Sequence, residues 1–242
     1  MPVLGSASLK EQFLMSFVVN DRWKLYLKGL GKSLLLTVGA LALGIVIGVV
    51  ISIVRTAHDQ KRSGEDKISA GLSVGNAICQ LYTTIIRGTP MMVQLMIMGF
   101  VVFASSRNMQ GVAILALGIN SGAYVSEIIR SGIMSIDPGQ MEAGRSLGMG
   151  YGTVMKEVIL PQAIKNILPA LGNELITLFK DTSLVSVIGM TELTKVARDI
   201  QARTYLPMMP YLGIALMYLV VVIIMTWLLG KLERRMRRSD RR

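Results

Sequence analysis

Residues 33 to 54 (SLLLTVGALALGIVIGVVISIV) and 207 to 230 (PMMPYLGIALMYLVVVIIMTWLLG) each run without a single charged side chain. About 20 such residues, coiled as a helix, cross the ~30 Å hydrocarbon layer of a bilayer, where every backbone N–H and C=O must be bonded internally. Both stretches therefore predict membrane-spanning helices. Residues 108 to 126 are also uncharged and predict a third span, and 88 to 106, which follow Arg87 and contain Pro90, a fourth. That fourth span reads as the outer part of a kinked helix beginning near Ser69. A fifth candidate starts near Val158 and carries Pro161, Lys165, Pro169, Glu174, Lys180 and Asp181. One uniform helix is not expected there. A charge at a helix centre costs about 2.5 to 3.5 kcal/mol on insertion scales, so this segment must be shielded by other helices or line a wet cavity. With 52% apolar residues, 17% charged residues and a mean hydropathy of +0.52, the 242-residue chain is too apolar for a soluble domain of its length. The expected fold class is all-α: one polytopic membrane domain over 1 to 242, with about five transmembrane helices.

The formal net charge of +11 raises the question of a nucleic-acid partner. Its distribution answers against one. Seven of the positive residues lie in the last twelve positions, KLERRMRRSDRR, immediately after the final span. By the positive-inside rule this basic tail, 231 to 242, faces the cytoplasm, where anionic lipid is the natural contact. Five crossings then put the amino terminus and residues 1 to 32 outside, and place 55 to 67 and the loop at 134 to 157 inside. The basic residues Lys10, Arg22, Lys24, Lys28 and Lys32 run against that bias, although charges far from the first span count for less. The opening MPVLGSASLKEQFLMSF lacks the charged start and apolar core of a cleavable signal, so the first span is expected to direct insertion.

Cys79 is the single cysteine, which excludes an intrachain disulfide and a cysteine metal cluster, and packing is its expected role. The lone His58 sits among polar residues of an inner loop and reads as a solvated side chain. No zinc spacing or catalytic triad can be assembled, so no catalytic or metal residue is expected. A phosphate-binding loop is missing too. Its nearest candidate, Gly31, Lys32 and Ser33, would need a glycine where Tyr26 stands, and it leads into a membrane helix. If this chain works with ATP, hydrolysis takes place on another subunit.

The place for such a subunit to act is 142 to 161, EAGRSLGMGYGTVMKEVILP. Upstream, Asp137, Pro138 and Gln140 combine an aspartate cap, a proline at the first helical position and a capping-box glutamine. The predicted helix from Pro138 ends near Leu147, because Gly148 can take up the left-handed conformation that closes a helix, and a second helix begins after Gly150. Two short helices joined at a glycine corner make a knob. Its apolar contact candidates are Met141, Leu147 and Met149; Glu142 and Arg145 are polar ones, or else an intrahelical pair worth about 0.2 to 0.5 kcal/mol.

Glu142, Ala143, Gly148, Leu160 and Pro161 resemble the EAA loop of permease subunits of bacterial ABC importers, with Gly144 replacing the second alanine and Val158 replacing isoleucine. RGTPMMVQL at 87 to 95, NSGAYVSEIIRSGI at 120 to 133, LPQAIKNILPAL at 160 to 171 and KDTSLVSVIGMTEL at 180 to 193 are similar to the branch that carries polar amino acids. The resemblance covers Leu27 to the last span. It implies the type I importer permease fold in a bacterial inner membrane, and a coupling segment formed by Glu142, Ala143, Arg145, Leu147, Gly148 and Met149. The implied partners are two ATPase subunits that hold the ATP and Mg, a second permease copy or a related permease, an extracytoplasmic binding protein and the amino-acid substrate. No cofactor is implied for this chain.

Beside the resemblance stands a polar pathway in the residues. Asn120, Tyr124, Glu127 and Ser131 recur at spacings of four, three and four, on one face of the third span. Glu174, Thr177 and Asp181 share a face of the fifth, with Asn173, Thr177 and Lys180 adjacent. A zwitterionic substrate needs acceptors for its ammonium group, which carboxylates supply, and donors for its carboxylate, from Lys180 or from backbone amides near Pro90 and Pro169. Glu127 has an alternative partner in Arg130, while Gln94, also a pathway candidate, and Thr89 flank the kink and have freed backbone groups as the alternative to ligand. Gly44 and Gly48 form a weak helix-pairing signal. The carboxylates lean toward a cationic substrate. Two rival functions are an ion-gradient transporter using Glu127, Glu174 and Asp181, which the absence of two related halves disfavours, and a non-transporting scaffold, which the charges within the spans disfavour.

Overall fold

The computed structural model describes residues 8 to 63 and 68 to 238. Residues 1 to 7, residues 64 to 67 of the first inner connection and the last four residues of the basic tail lie outside the described residues. Ser8 and Glu11 close a capping box on α1 (Leu9–Phe13), which runs on through a π-helical turn, Leu14–Val18. After a 3-10 turn, α2 (Arg22–Ser63) holds the first span. It starts and ends beyond the uncharged stretch. The amino-terminal segment expected outside the membrane therefore contributes the first turns of α2, and residues 55 to 63 are helix rather than loop. His58 moves with this correction: its side chain is 13% exposed and its Nδ1 lies 3.6 Å from Asp59.

α3 (Ala70–Gly88) and α4 (Met91–Ile97, continued by a π turn Met98–Val102) are bent by 105° at Thr89 and Pro90. α5 (Met109–Met134) is the central helix. Among the described residues, α2, α5 and α10 are each long and apolar enough to cross a membrane, and the bent pair α3 and α4 passes the same test taken together. α8 (Leu160–Asp181) packs beside them and is too polar to pass that test. Before it come α6 (Pro138–Ser146) and α7 (Tyr151–Val154); after it come a 3-10 stretch Thr182–Ile188, α9 (Leu193–Thr204) and α10 (Met208–Arg238). The basic tail is a continuation of α10 as far as Arg238.

Glycines set how closely α2 and α5 approach. A Cβ at Gly44 would lie 2.8 Å from Ser121 Oγ, one at Gly118 2.6 Å from Leu43 Cδ2, both below any real contact. The glycine pair read as a weak helix-pairing signal is thus consumed inside the chain. Leu36, Leu95, Leu117, Leu178 and Val185 are fully buried between α2, α4, α5, α8 and the 3-10 stretch. A second cluster of Tyr26, Leu193, Val196 and Ile200 anchors α9, where Phe17 stacks 5.0 Å from Tyr26. α10, in contrast, leaves Leu216, Leu219, Ile223, Ile224 and Leu228 exposed, an apolar band suited to lipid or to a neighbouring membrane subunit.

These contacts sort the molecule into two ends. One end gathers α1, the start of α2, α9 and the start of α10. The other gathers the end of α2, the end of α5, and the paired short helices α6 and α7. Asn166 Nδ2 donates to Ser135 Oγ at 2.9 Å, so the helices on both sides of the short pair are pinned to each other.

Candidate functional site: a helical knob, an ion-pair chain and a polar cavity

The knob is built by local backbone chemistry. Asp137 Oδ1 accepts from the Gly139 N–H at 2.8 Å and Pro138 occupies the first turn, as the sequence predicts; the cap bond goes to residue 139 rather than to Gln140. Helix α6 ends in a Schellman motif. The Met149 N–H reaches Gly144 O at 3.1 Å, the Gly148 N–H reaches Arg145 O at 2.9 Å, and Gly148 has φ +82°. Leu147 stands at the tip with 82% of its surface exposed, Glu142, Ala143 and Arg145 are exposed beside it, and Met149 is half-buried. A Cβ at Gly144 would sit 2.6 Å from Val154 Cγ2, which explains glycine there: α6 and α7 fold too closely for alanine.

The Leu160-Pro161 pair follows a π-helical turn, Met155–Ile159, in which the Leu160 N–H bonds five residues back to Met155 O. The wider turn absorbs the proline that would clash with a regular one. From there α8 continues without interruption to Asp181, with Pro169 inside it. The broken fifth span expected from the prolines is thus corrected: its irregular turns lie at 155 to 159 and 182 to 188, outside the proline positions. Packing holds α8 as one continuous helix. A Cβ at Gly132 would meet Ile167 at 2.4 Å and one at Gly172 would meet Leu229 at 2.2 Å, so α5 and α10 grip it on both sides of Pro169.

Between α3, α4, α5 and α8 lies a polar cavity of about 420 Å³ lined by Arg87, Gly88, Thr89, Pro90, Met91, Asn120, Tyr124, Glu174, Thr177 and Asp181. Five of the residues expected to form a pathway meet there: Asn120, Tyr124, Glu174, Thr177 and Asp181. Ser121 Oγ donates to Glu174 Oε1 at 2.8 Å, holding the carboxylate in place. Gln94 stands behind the wall. Its Nε2 donates to Ile86 O at 2.7 Å and to Thr89 Oγ1 at 2.7 Å, and its Oε1 accepts from Asn120 Nδ2 at 2.9 Å. Gln94 therefore satisfies the backbone freed by the bend. Asn173 is exposed outside the cavity with Nδ2 donating to Pro169 O at 3.2 Å, and the exposed Lys180 does not line it either.

Sequence reading missed Arg87. Its guanidinium lies 5.3 Å from the centre of the Tyr124 ring and lines the cavity, which Lys180, one of the expected donors, does not. An arginine immediately before the Gly-Thr-Pro break, inside a span, was the signal available. Arg87 also lines a second cavity of about 310 Å³ with Arg55, Gln80, Thr83, Thr84 and Glu127. Here the structure separates Glu127 from the other pathway candidates. Glu127 Oε2 accepts from Arg55 Nη1 at 2.6 Å, Glu127 Oε1 accepts from Arg130 Nη2 at 2.6 Å, and Arg130 Nη1 reaches Asp59 Oδ2 at 3.0 Å. Next to Asp59, Gln60 Oε1 accepts from the Tyr151 hydroxyl of the knob. Partial burial pushes the Tyr151 phenol up, and a phenol is in any case protonated and a donor at neutral pH.

At the opposite end the fully buried Glu192 caps α9. Its carboxylate accepts from the Thr194 and Lys195 N–H groups at 2.7 Å each and from Tyr218 OH at 3.3 Å, with Ser33 Oγ 3.5 Å away. Among the described residues no group of His, Cys, Asp and Glu has metal-holding geometry.

Apolar helices long enough to cross a membrane, packed around a polar cavity and carrying a helical knob at one end, define a membrane protein of the transporter class. The chain belongs to the family of binding-protein-dependent transport system inner membrane components, whose model matches residues 68 to 238. It is therefore a multi-pass inner-membrane component. It is 38% identical over 217 residues to the arginine transport system permease protein ArtQ of Bacillus subtilis (strain 168), covering 88% of this chain and 93% of that one. The glutamine transport system permease protein GlnP of Escherichia coli (strain K12) is 34% identical over the same shares. A crystal structure of an amino acid ABC transporter with histidines matches with a TM-score of 0.78 and 41% identity over 88% of this chain and 94% of that one. The MetNI methionine ABC transporter in an inward-facing form shares the fold at a TM-score of 0.74 and 19% identity, over 90% of this chain and 99% of that one.

Proposed function

We propose that this chain is the transmembrane permease subunit of an ATP-driven importer of polar amino acids, forming the translocation pathway while a separate ATPase hydrolyses ATP. The observation that carries it is the cavity, where one guanidinium, Arg87, and two carboxylates, Glu174 and Asp181, line the same space. That is the complement of a zwitterion: Arg87 for the carboxylate, and Glu174 or Asp181 for the ammonium group. The surplus acidic group favours a side chain that is itself cationic. Asn120, Tyr124 and Thr177 complete the polar wall, while Gln94 supports it through Asn120. The names of the relatives, which speak of arginine and glutamine, agree with this substrate class.

In this reading the chain acts as one domain with no cofactor of its own; ATP and Mg belong to the ATPase. Two ATPases and a second permease, either another copy or a relative, complete the core, and an extracytoplasmic binding protein delivers substrate. The knob end, with the basic continuation of α10, faces the cytoplasm, and α1 and the amino terminus face outside. Glu142, Ala143, Arg145, Leu147, Gly148 and Met149 present the surface that enters the ATPase.

The test is reconstitution with the ATPase and binding protein in proteoliposomes, followed by uptake of a panel of labelled amino acids. ATP-dependent uptake of arginine, lysine, histidine or glutamine is expected. The double variant Glu142→Ala with Gly148→Pro is expected to abolish uptake or to lose the ATPase on copurification. Unchanged uptake and copurification in that variant, or uptake by the permease alone under an ion gradient, would overturn the proposal.

A further inference from the structure

The side chains between the knob and the cavity form two bonded groups that meet at adjacent residues of α2. Starting at the knob, Tyr151 is bonded to Gln60; its neighbour Asp59 pairs with Arg130; Arg130 pairs with Glu127; and Glu127 pairs with Arg55. Arg55 shares the second cavity with Arg87, and Arg87 reaches the first. The ion pairs join the end of α2 to the end of α5 across 71 and 72 residues of sequence. None of them is a fully solvated surface pair: Arg55 is 13% exposed, Glu127 24%, and Arg130 and Asp59 26% each. Glu127 accepts from two guanidinium groups at once. Two partners holding one carboxylate fix it more firmly than a single pair.

The arrangement is also placed where it can carry motion. α2 and α5 cannot slide independently near their middle, because glycines there bring the two backbones into contact. Beyond that contact, the ends of α2 and α5 are held by charge pairs, which can break and re-form without leaving a cavity. The Tyr151 bond to Gln60 connects these groups to the knob.

We propose that Asp59 and Arg130, with Gln60 and Tyr151, are positioning residues that transmit movement of the knob to the cavity wall at Arg87. They touch neither substrate nor nucleotide; they set whether ATP hydrolysis on the docked partner becomes transport. The inference rests on the transporter reading above, and goes beyond it by naming the path through which the knob acts.

The decisive quantity is ATP hydrolysed per amino acid taken up, measured in proteoliposomes holding the full complex and normalised to assembled complex. Asp59→Asn and Arg130→Met are expected to raise that ratio about tenfold, with hydrolysis in the absence of binding protein within about twofold of wild type. Asp59→Glu and Arg130→Lys keep the charges and are expected to restore most of the coupling. Gln60→Ala, which leaves every ion pair in place, is expected to raise the ratio about threefold and serves where an ion-pair variant fails to assemble. A ratio unchanged in all assembled variants, with uptake and hydrolysis falling together or not at all, overturns the proposal. If instead the wild-type complex takes up no amino acid with ATP, the transporter reading falls and this proposal with it.

Discussion

Pro90 and Pro169 both lie along the membrane helices, and the helix breaks at Pro90 but continues through Pro169. At Pro90 the preceding Thr89 is extended, with φ −118° and ψ 143°, and α3 and α4 meet at 105°. The last-turn carbonyls freed there are taken by side chains: Thr89 Oγ1 donates to Ile85 O at 2.9 Å and Gln94 Nε2 to Ile86 O. At Pro169 the helix continues, gripped between Gly132 and Leu229 on its neighbours, and Asn173 Nδ2 reaches back to Pro169 O. A proline removes one donor and crowds one carbonyl in either place. What decides the outcome is whether side chains stand ready to accept the freed backbone as a turn, or neighbouring helices hold it as a rod.

If that difference is right, removing the side-chain support at the bend has the largest effect. Gln94→Leu leaves Ile86 O without its donor and Asn120 without its acceptor, at a cost of about 2 to 3 kcal/mol for buried polar groups. The expected result is a clearly lowered Tm of the solubilised complex together with weaker uptake, because Asn120 lines the cavity. An unchanged Tm would show that the bend is held by something other than Gln94. The knob offers a second helix end, turned by glycine instead of proline. Gly144→Ala drives a methyl into Val154, an overpacking cost of about 1 to 3 kcal/mol, and Val154→Ala in the same chain is expected to relieve it. Gly148→Ala strains a left-handed residue by about 1 kcal/mol and is expected to weaken ATPase copurification less than Gly144→Ala does.

The knob was legible because its signals are local. An aspartate, a proline and a glycine, read in order, give the cap, the first turn and the corner without reference to the rest of the chain. The cavity was legible in part: the spacing of Asn120 and Tyr124 on α5, and of Glu174, Thr177 and Asp181 on α8, puts each set on one face, and the fold brings the two faces together. Glu127 shows where that reasoning stops. Its spacing from Tyr124 is right, but Arg55 is 72 residues away and claims it for the second cavity. The continuity of α8 was out of reach for the same reason, since no sequence window contains both Pro169 and the helices that grip it. The protein's family membership supports the fold that makes these pairings, and the assignment of individual side chains to substrate or coupling rests on the experiments proposed above.

The smallest effect is expected from Pro90 itself. It sits at the cap of α4, where its missing N–H has no helical partner to lose, and the bend is already stabilised by Thr89 and Gln94. Pro90→Ala then acts mainly through the unfolded chain, costing about 0.4 to 1 kcal/mol. Shape is the better readout. In a chain with Cys79→Ser, spin labels at Leu81 and Phe100, both exposed on the two arms, report the angle by their separation. A straight helix would set those positions about 28 Å apart at 1.5 Å per residue, and a bend of this size brings them much closer. The short distance is expected to persist in Pro90→Ala and to lengthen in Gln94→Leu. Lengthening in Pro90→Ala would make the proline the cause of the turn, and the contrast with Pro169 would then come down to position along the helix.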